Sequence, residues 1–342
     1  MKNSLFLITV LCLGGIFSSC KKDFSVNAQY EDFPIVLGLL NPAETTHYLK
    51  IYKSFITENS AYDAAKDIHL YSYIDSVEVY MEERDANDRF IRKILFDTTT
   101  EIPKEAGIFA YPTQILYKTD AELNRDYTYK LFIYNPYTEK MAYSQPIDLV
   151  WEAKIASPLG TELSITDKPF SLKYIPAQNA YLYEFVVTFY YSETRKGNIK
   201  QEGKPIVWNM GQQPFQTSGV ITSPSTSGAF FFQRIAANII DNEDVTARHV
   251  DSIVISIYTA GKDWYLYLFA NHPSSGINQN RLDYTNISAY NTVSNEEKYA
   301  LGIFSSRAVS TRMFRDLTLP SGSKDSLFHG RFTGHLKFTD IY

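Results

Sequence analysis

The chain has 342 residues, 44% of them hydrophobic, which is enough to fill packed cores and longer than one core usually serves. Its net charge of −5 is modest and spread along the sequence without a basic stripe, so nucleic acid is not an expected partner. The unusual feature is 26 tyrosines beside 22 phenylalanines, and because aromatic residues fit the half-buried surface of a pleated sheet, this excess indicates a β-rich fold.

The N-terminus has the pattern of a signal peptide. Lys2 precedes an apolar run, Leu5 to Phe17, whose 13 residues are too few to span a bilayer, and small residues stand just before Cys20. This order resembles the bacterial lipobox, in which the cysteine is lipidated and becomes the mature N-terminus. We therefore predict a signal peptide over residues 1–19, lipidation of Cys20 by several acyl chains such as palmitate, and a lipid-anchored tether over 20–32.

The residues around Cys20 also bear on location. Lys21 and Lys22 follow the cysteine, and in the Gram-negative lipoproteins that this pattern resembles, the absence of an acidic residue there favours the outer membrane. We favour the cell surface over the periplasmic face, although Asp23 stands alone where Bacteroidota surface lipoproteins carry an acidic cluster. The alternative is an ordinary cysteine in an exported protein, and Phe17, an aromatic residue where the motif usually has an aliphatic one, supports it.

Residues 33–150 are predicted to form a β-sandwich of immunoglobulin or fibronectin type. Several short segments alternate apolar and polar residues, and turn residues separate them at regular intervals. The segment from Asn59 to Leu70 breaks this period and predicts a short helix. The predicted strands are Pro34 to Leu40, His47 to Phe55, Ser76 to Met81, Phe90 to Phe96, Tyr127 to Tyr134 and Met141 to Tyr143.

Residues 151–342 are predicted to form a β-rich domain with one or two helices. Ala180 to Tyr191 and Val250 to Tyr258 have the composition of long strands, whereas Phe230 to Ile240 repeats apolar residues at helical spacing. Trp264 to Ala270 fits either a strand or a helix. The remaining predictions are a strand at His335 to Phe338 and two polar loops suited to recognition, Thr222 to Gly228 and His272 to Asn280.

No group of residues has the spacing of a known catalytic, cofactor or metal motif. One set of histidines with an aspartate is too widely spaced for a zinc helix, and one acidic segment lacks the glycine and alternation of a calcium loop. We interpret both as ordinary strand, loop and helix-end positions and predict no catalytic residue, cofactor or metal. These two sets are His329 and His335 with Asp325, and Asp241 with Glu243 and Asp244.

Outward-facing aromatic residues are the candidates for binding a glycan. An aromatic ring on the exposed face of a strand can stack against a sugar, although such rings more often pack between neighbouring strands. The candidates are Tyr48, Tyr52, Tyr80, Tyr190 and Trp264.

Four tripeptides are similar to the acceptor pattern for O-glycosylation in exported Bacteroidota proteins. Each begins with an aspartate followed by Ser or Thr, and some of them begin strands for purely structural reasons. The candidate acceptors are Ser76, Thr98, Ser252 and Ser326.

The order of these features resembles an uncharacterised Bacteroidota family of outer-membrane lipoproteins, classed as a domain of unknown function. The resemblance implies two β-rich domains, a gene often encoded near those of TonB-dependent receptors, and no known catalytic residue. We interpret the segments around Asn286 and Gly302 as a β-turn system that closes the second domain. Besides the lipobox, the resemblance rests on Leu39-Leu40-Asn41-Pro42, Tyr129-Lys130-Leu131, Tyr284-Thr285-Asn286-Ile287 and Leu301-Gly302-Ile303-Phe304.

An anchor and two β-rich domains without convergent catalytic groups favour a binding or accessory module over an enzyme. Its expected partners are the outer membrane, a TonB-dependent transporter, and a glycan or peptide. The alternatives are a carboxylate-dependent glycan hydrolase, which leaves almost no local sequence signature, and a purely structural envelope protein.

Overall fold

The computed structural model describes residues 32–58, 60–215, 218–271, 284–317 and 322–340. It is mainly β, with 46% of the described residues in strands and 12% in helices, which confirms the prediction of a mainly β fold. Among the described residues, no helix combines the length and the apolar character needed to cross a membrane.

The first half of the chain, up to residue 149, contains eight strands and two short helices in the described ranges. The strand Thr128–Asn135 follows the predicted alternation closely, because every second side chain is buried. The strand Pro34–Leu40, whose apolar run predicted a buried strand, alternates as well, since Ile35 and Leu37 are exposed. The elements are β1 Pro34–Leu40, β2 His47–Lys53, α1 Ala61–Ala64, α2 Ile68–Tyr71, β3 Glu78–Arg84, β4 Phe90–Thr99, β5 Leu116–Thr119, β6 Thr128–Asn135, β7 Lys140–Ser144 and β8 Ile147–Asp148.

The second half combines three long strands with short ones and three helices, again within the described ranges. The long strands are β13 Leu182–Arg195, β18 Val245–Ala260 and β21 Leu301–Phe314. The helices are α3 Ala229–Asn238, α4 Lys262–Asn271 and α5 Ser323–His329. The short strands are β9 Lys154–Ser157, β10 Glu162–Leu163, β11 Pro169–Phe170, β12 Lys173–Ile175, β14 Ile199–Glu202, β15 Ile206–Pro214, β16 Ile221–Thr222, β17 Thr226–Ser227, β19 Ile287–Asn291, β20 Glu297–Lys298 and β22 Asp316–Leu317.

A continuous ladder of hydrogen-bonded strands connects the two halves. Its order is β14-β13-β18-β21-β1-β2-β5-β4-β3-β6-β7-β19-β20, with β15 paired to β13 and β8 to β6. Two long strands change their pairing partner along their length. The first part of β4 pairs with β3 and its last three residues with β5, while β21 pairs first in parallel with β1 and then antiparallel with β18.

Two hydrophobic cores lie along this ladder. The first gathers side chains from both portions of the N-terminal sheet, among them Leu49, Met81 and Leu131, and it also takes Phe304 from β21. The earliest residue of the second core is Val150. The residue before it, Leu149, is the last residue that the first half of the chain gives to the first core. Strand β19 and the start of β21 therefore belong to the first core although they lie late in the chain.

The second core covers one face of the sheet formed by β15, β13, β18 and β21. On β13, alternation sends Tyr183, Phe185, Val187 and Phe189 into this core, where α3, α5 and the short strands around β12 cover them. The opposite face is only partly exposed to solvent, since Val186 and Ser256 near its centre are buried. One row across it runs Val207, Thr188, Val254 and Met313 on four neighbouring strands, and its two end residues are 52% and 53% exposed.

The structure decides one open prediction and contradicts two others. The ambiguous segment Trp264 to Ala270 is helical, as part of α4. His335 to Phe338 is not a strand, since only Phe338 forms an isolated bridge, to Arg248. The predicted turn system is wrong, because Gly302 lies inside β21 opposite Val36 of β1, and the Asn286 side-chain amide bonds the backbone of β21.

Candidate functional site

A cleft lies where the two cores meet, between the end of β1, the outer face of the second sheet and α4. Its volume is about 250 Å³, and its walls combine aromatic, aliphatic, charged and amide side chains. The lining residues are Leu39, Leu182, Glu184, Gln212, Tyr258, Thr259, Ala260, Trp264, Leu268 and Arg307. We call it the junction cleft.

Strand register assembles the polar wall of the junction cleft. Glu184 on β13 lies directly opposite Gln212 of β15 on one side and Tyr258 of β18 on the other. Side chains opposite one another in a ladder point to the same face, so these three form one row on the outer sheet face. The neighbours Tyr183 and Phe185 point into the core, which is why Glu184 points outward.

Helix α4 supplies the aromatic wall. The chain leaves β18 at Gly261, whose N–H donates to Ser306 O at 2.9 Å, and a Cβ there would lie only 3.1 Å from Ser305 Oγ. Glycine therefore allows the helix to start against β21. The Trp264 N–H donates to Ser305 Oγ at 3.3 Å, and the indole stacks on Tyr267 with ring centroids 5.5 Å apart. One face of Trp264 is thus packed within the helix while the residue lines the cleft.

The N-terminus of α4 is tied to the strand region that follows it. Tyr284 Oη donates to Asp263 Oδ1 at 2.6 Å. Burial and this acceptor raise the pKa of Tyr284, so its hydroxyl stays protonated and keeps donating at neutral pH. The bond fixes the first turn of α4, which carries Trp264.

The charged groups of the junction cleft are only partly engaged. Asn209 Nδ2 donates to Glu184 Oε1 at 2.5 Å, and within the described ranges no donor bonds the second carboxylate oxygen, which could accept from a ligand. Arg307 lies 3.8 Å from Glu44, and both side chains are about half exposed, so this pair contributes little. The cleft therefore offers a carboxylate, a guanidinium and the Gln212 amide beside aromatic rings.

Two larger cavities are polar and hold internally paired charges. In one, of about 650 Å³, the buried Glu83 accepts from Arg92 Nε at 2.5 Å and from Tyr129 Oη at 2.6 Å. Burial, and then this bond to Glu83, raise the pKa of Tyr129. Nearby, the Arg125 guanidinium binds Glu152 through two bonds and lowers the pKa of that carboxyl.

The other polar cavity, of about 670 Å³, surrounds the end of α3 and contains the acidic segment considered for calcium. Asp244 pairs with Lys196, and Glu193 accepts from the fully buried Arg248 at 3.0 Å. Across the described ranges, His, Cys, Asp and Glu side chains do not gather in any group of three that could hold a metal ion. His329 and His335 are both exposed.

The predicted glycan-binding aromatics do not come together. Tyr80 stacks on Phe132 at 5.0 Å on one side, and on the other Lys93 Nζ lies 3.8 Å from its ring, so both faces are occupied. Tyr52 packs against Tyr71 and Phe109, and Tyr48 donates its hydroxyl to Glu101. Tyr190 is exposed on the outer sheet face. Trp264 is the one of the five that lines the junction cleft.

The candidate modification sites differ in accessibility. Thr98 is exposed on β4, and Ser76 is half-buried. Ser326 is half-buried in α5, and Ser252 is buried in β18 with 7% of its surface exposed. Cys20 lies outside the described residues. Accessibility in the folded protein thus favours Thr98 as an acceptor.

The two predicted recognition loops also have different outcomes. Thr222 to Gly228 forms parts of two small sheets, and Ser223 is buried there, its hydroxyl accepting from Leu172 N at 2.9 Å. That segment is only partly displayed, since Thr222, Pro224 and Ser225 are exposed while Ser223 and Gly228 are buried. His272 to Asn280 lies outside the described residues.

Sequence reasoning identified Trp264 but missed the polar wall. Glu184 was visible as the one charge within the apolar segment Ala180 to Tyr191, which was the available signal. Gln212 and Arg307 had no such signal, because only strand register brings them beside Glu184.

Compared with models of known protein families, the chain matches none of them. A comparison with curated proteins gives no match either.

Proposed function

We propose that the protein is an outer-membrane-anchored lipoprotein, facing the cell surface, that acts as a binding or accessory module and holds a glycan in the junction cleft. The observation that supports it is the position of Trp264 beside the row of Glu184 and Gln212, with Arg307 at the rim. An aromatic ring packs against the apolar face of a sugar, while carboxylate, amide and guanidinium groups bind its hydroxyls.

The hydrolase alternative is less well supported by these cavities. Glycoside hydrolysis requires two carboxyl groups flanking the bond that is cleaved. The junction cleft is lined by aromatic residues but by one carboxylate, Glu184. The larger cavities hold several carboxylates, but Glu83 and Glu193 are bound to arginines there.

The proposal also covers the domain organisation of the chain. We infer two domains, residues 33–150 and 151–342, with an immunoglobulin-like sandwich in the first. Support comes from the two separate cores, whose members in the first half of the chain divide between Leu149 and Val150, and from sheet portions on both sides of the first core. Residues of β19 and the start of β21 complete the first core from the second half of the chain. A TonB-dependent transporter as partner rests on the family resemblance alone.

Binding is tested by titrating the purified chain with a panel of neutral and acidic oligosaccharides, using calorimetry and tryptophan fluorescence. We expect at least one to bind and to change the tryptophan emission. This change should be absent from Trp264→Ala, because the other two tryptophans are shielded: Trp208 is only 4% exposed and Trp151 is half-buried beside Arg125. Trp264→Ala should weaken the affinity about tenfold through loss of ring contact. Tyr190→Ala, an outward aromatic on the same sheet face, is the matched control and should bind normally.

Three outcomes count against the proposal. If no oligosaccharide binds, or if Trp264→Ala binds as tightly as the parent, the junction cleft is not a glycan site. If the protein hydrolyses an oligosaccharide that it binds, it is an enzyme and the binding-module proposal is wrong.

A further inference from the structure

Strand β15 lies at an open edge of the second sheet. It pairs with β13 on one side, and α3 packs beneath it. Among the strands that the structure describes, none pairs with its other side. An antiparallel edge of this kind presents backbone N–H and C=O groups that match those of another strand.

This edge lacks the charges that usually block strand pairing. Lys204 is followed by no charged residue until Arg234, so β15 from Ile206 to Pro214 is entirely neutral. Natural edge strands are commonly protected by lysines or by inward-pointing charges. The protection here is limited to Pro205 and Pro214 at the two ends and to a bulge at Gly211.

Exposed apolar side chains accompany the edge at both of its ends. Ile199 is 62% exposed and Val207 52% at one end, and Phe215 is 51% and Val220 60% at the other. Large apolar residues scattered singly on a surface are normal, but four of them along one sheet edge indicate a surface that associates.

We propose that this edge is a dimer interface, in which β15 pairs antiparallel with β15 of a second copy of the chain. A two-fold axis through Trp208 perpendicular to the sheet sets Val207 opposite Asn209 and Ile206 opposite Met210. Residues of the inner face then meet inner-face residues, and outer-face residues meet outer-face ones, so both faces of the sheet continue from one copy into the other.

Charge and apolar contacts fit a second copy in particular. In this register Glu202 and Lys204 stand opposite the neutral residues Pro214 and Gln212 of the other copy, so like charges do not meet. The Ile199 end of one copy lies beside the Phe215 end of the other. Because each copy uses its own β15 edge in the interface, neither has that edge left for a third copy, and the association stops at a dimer.

The test measures mass by sedimentation equilibrium on the full mature chain carrying Cys20→Ala, which removes the predicted anchor and the only thiol expected in that chain. We expect a reversible dimer between about 1 and 100 µM. Val207→Lys should raise the dimer dissociation constant at least about tenfold, because it places one charged lysine from each copy within the paired strands. Met313→Lys is the matched control, being 53% exposed in the same row but three strands from the edge, and it should dimerise normally.

A cross-linking measurement tests the register itself. Directly opposed side chains in a ladder have Cβ atoms about 5 Å apart, within reach of a disulfide after small adjustment. With Cys20 replaced, a mixture of Val207→Cys and Asn209→Cys chains should give an oxidised dimer on a denaturing gel, because these two positions oppose each other across the interface. A mixture of Val207→Cys and Met313→Cys chains should not. A strictly monomeric parent chain, or a dimer that Val207→Lys leaves intact, would overturn the proposal.

Discussion

At the scale of single residues, the fold disfavours protonation of the His47 side chain. It begins β2 and is only 2% exposed. Burial lowers the pKa of its imidazole, and the backbone of Ala121 and the carboxylates of Glu44 and Asp120 offset this only in part. The folded protein therefore holds a neutral imidazole where the unfolded chain binds a proton with an ordinary pKa.

This difference predicts a loss of stability in mild acid. Because the folded pKa lies below the unfolded value of about 6.5, the contribution of His47 is fully present above pH 6.5 and is lost as the pH falls towards the folded pKa. Urea unfolding between pH 7.5 and 5 should show a decrease of up to about 1.4 kcal/mol per pH unit from this group. His47→Phe should remove that part of the slope, and the exposed His69→Phe should retain it. An unchanged slope in His47→Phe would contradict the assignment.

At the scale of elements, β21 is the strand that holds the two cores together. Its first residues pair in parallel with β1 and its later residues pair with β18. Gly302 lies at the start of the parallel segment with a φ of +112°. A Cβ at this position would lie 1.9 Å from the backbone oxygen of Val36, so both the conformation and the close approach of the two strands require glycine.

Replacing this glycine should therefore damage the connection between the halves. Gly302→Ala is expected to lower the free energy of unfolding by at least about 2 kcal/mol, because the side chain forces the backbone away from β1. Gly107→Ala is the control, since a Cβ there meets no atom within 4 Å, and it should change stability little. Equal stability of the two variants in denaturant unfolding would show that β1 and β21 do not need their close contact.

Local patterns of the sequence predicted elements but not their partners. Pro34–Leu40 was predictable because its apolar run lies between turn residues, and α3 was predictable from apolar spacings of three and four. The pairing of β19 with β7 and of β21 with β1 joins residues far apart in the chain, and alternation carries no information about such pairs. The same limit applies to the junction cleft, where Trp264 had a local signal and Gln212 acquires its role through register.

At the scale of the whole molecule, the predicted anchor and the described fold meet at Asp32. Its carboxylate pairs with Lys140 at 3.2 Å, so the first described residue is held against β7. Twelve peptide steps separate Cys20 from Asp32, and fully extended they would span roughly 40 Å. A lipid on Cys20 would therefore keep Asp32 within roughly 40 Å of the membrane.

The anchor itself gives the last prediction. Cys20→Ala should move the protein from the membrane fraction to the soluble fraction and abolish labelling with a radioactive fatty acid. The physical reason is that each buried methylene contributes about 0.8 kcal/mol, so several acyl chains hold a protein firmly and their loss leaves no comparable attachment. Cys12→Ser is the matched control, because Cys12 lies in the segment predicted to be cleaved, and the mature protein should stay labelled and membrane-bound. If the Cys20→Ala protein remains in the membrane fraction and still takes up fatty acid, the lipobox assignment is wrong and the chain is held there by another route.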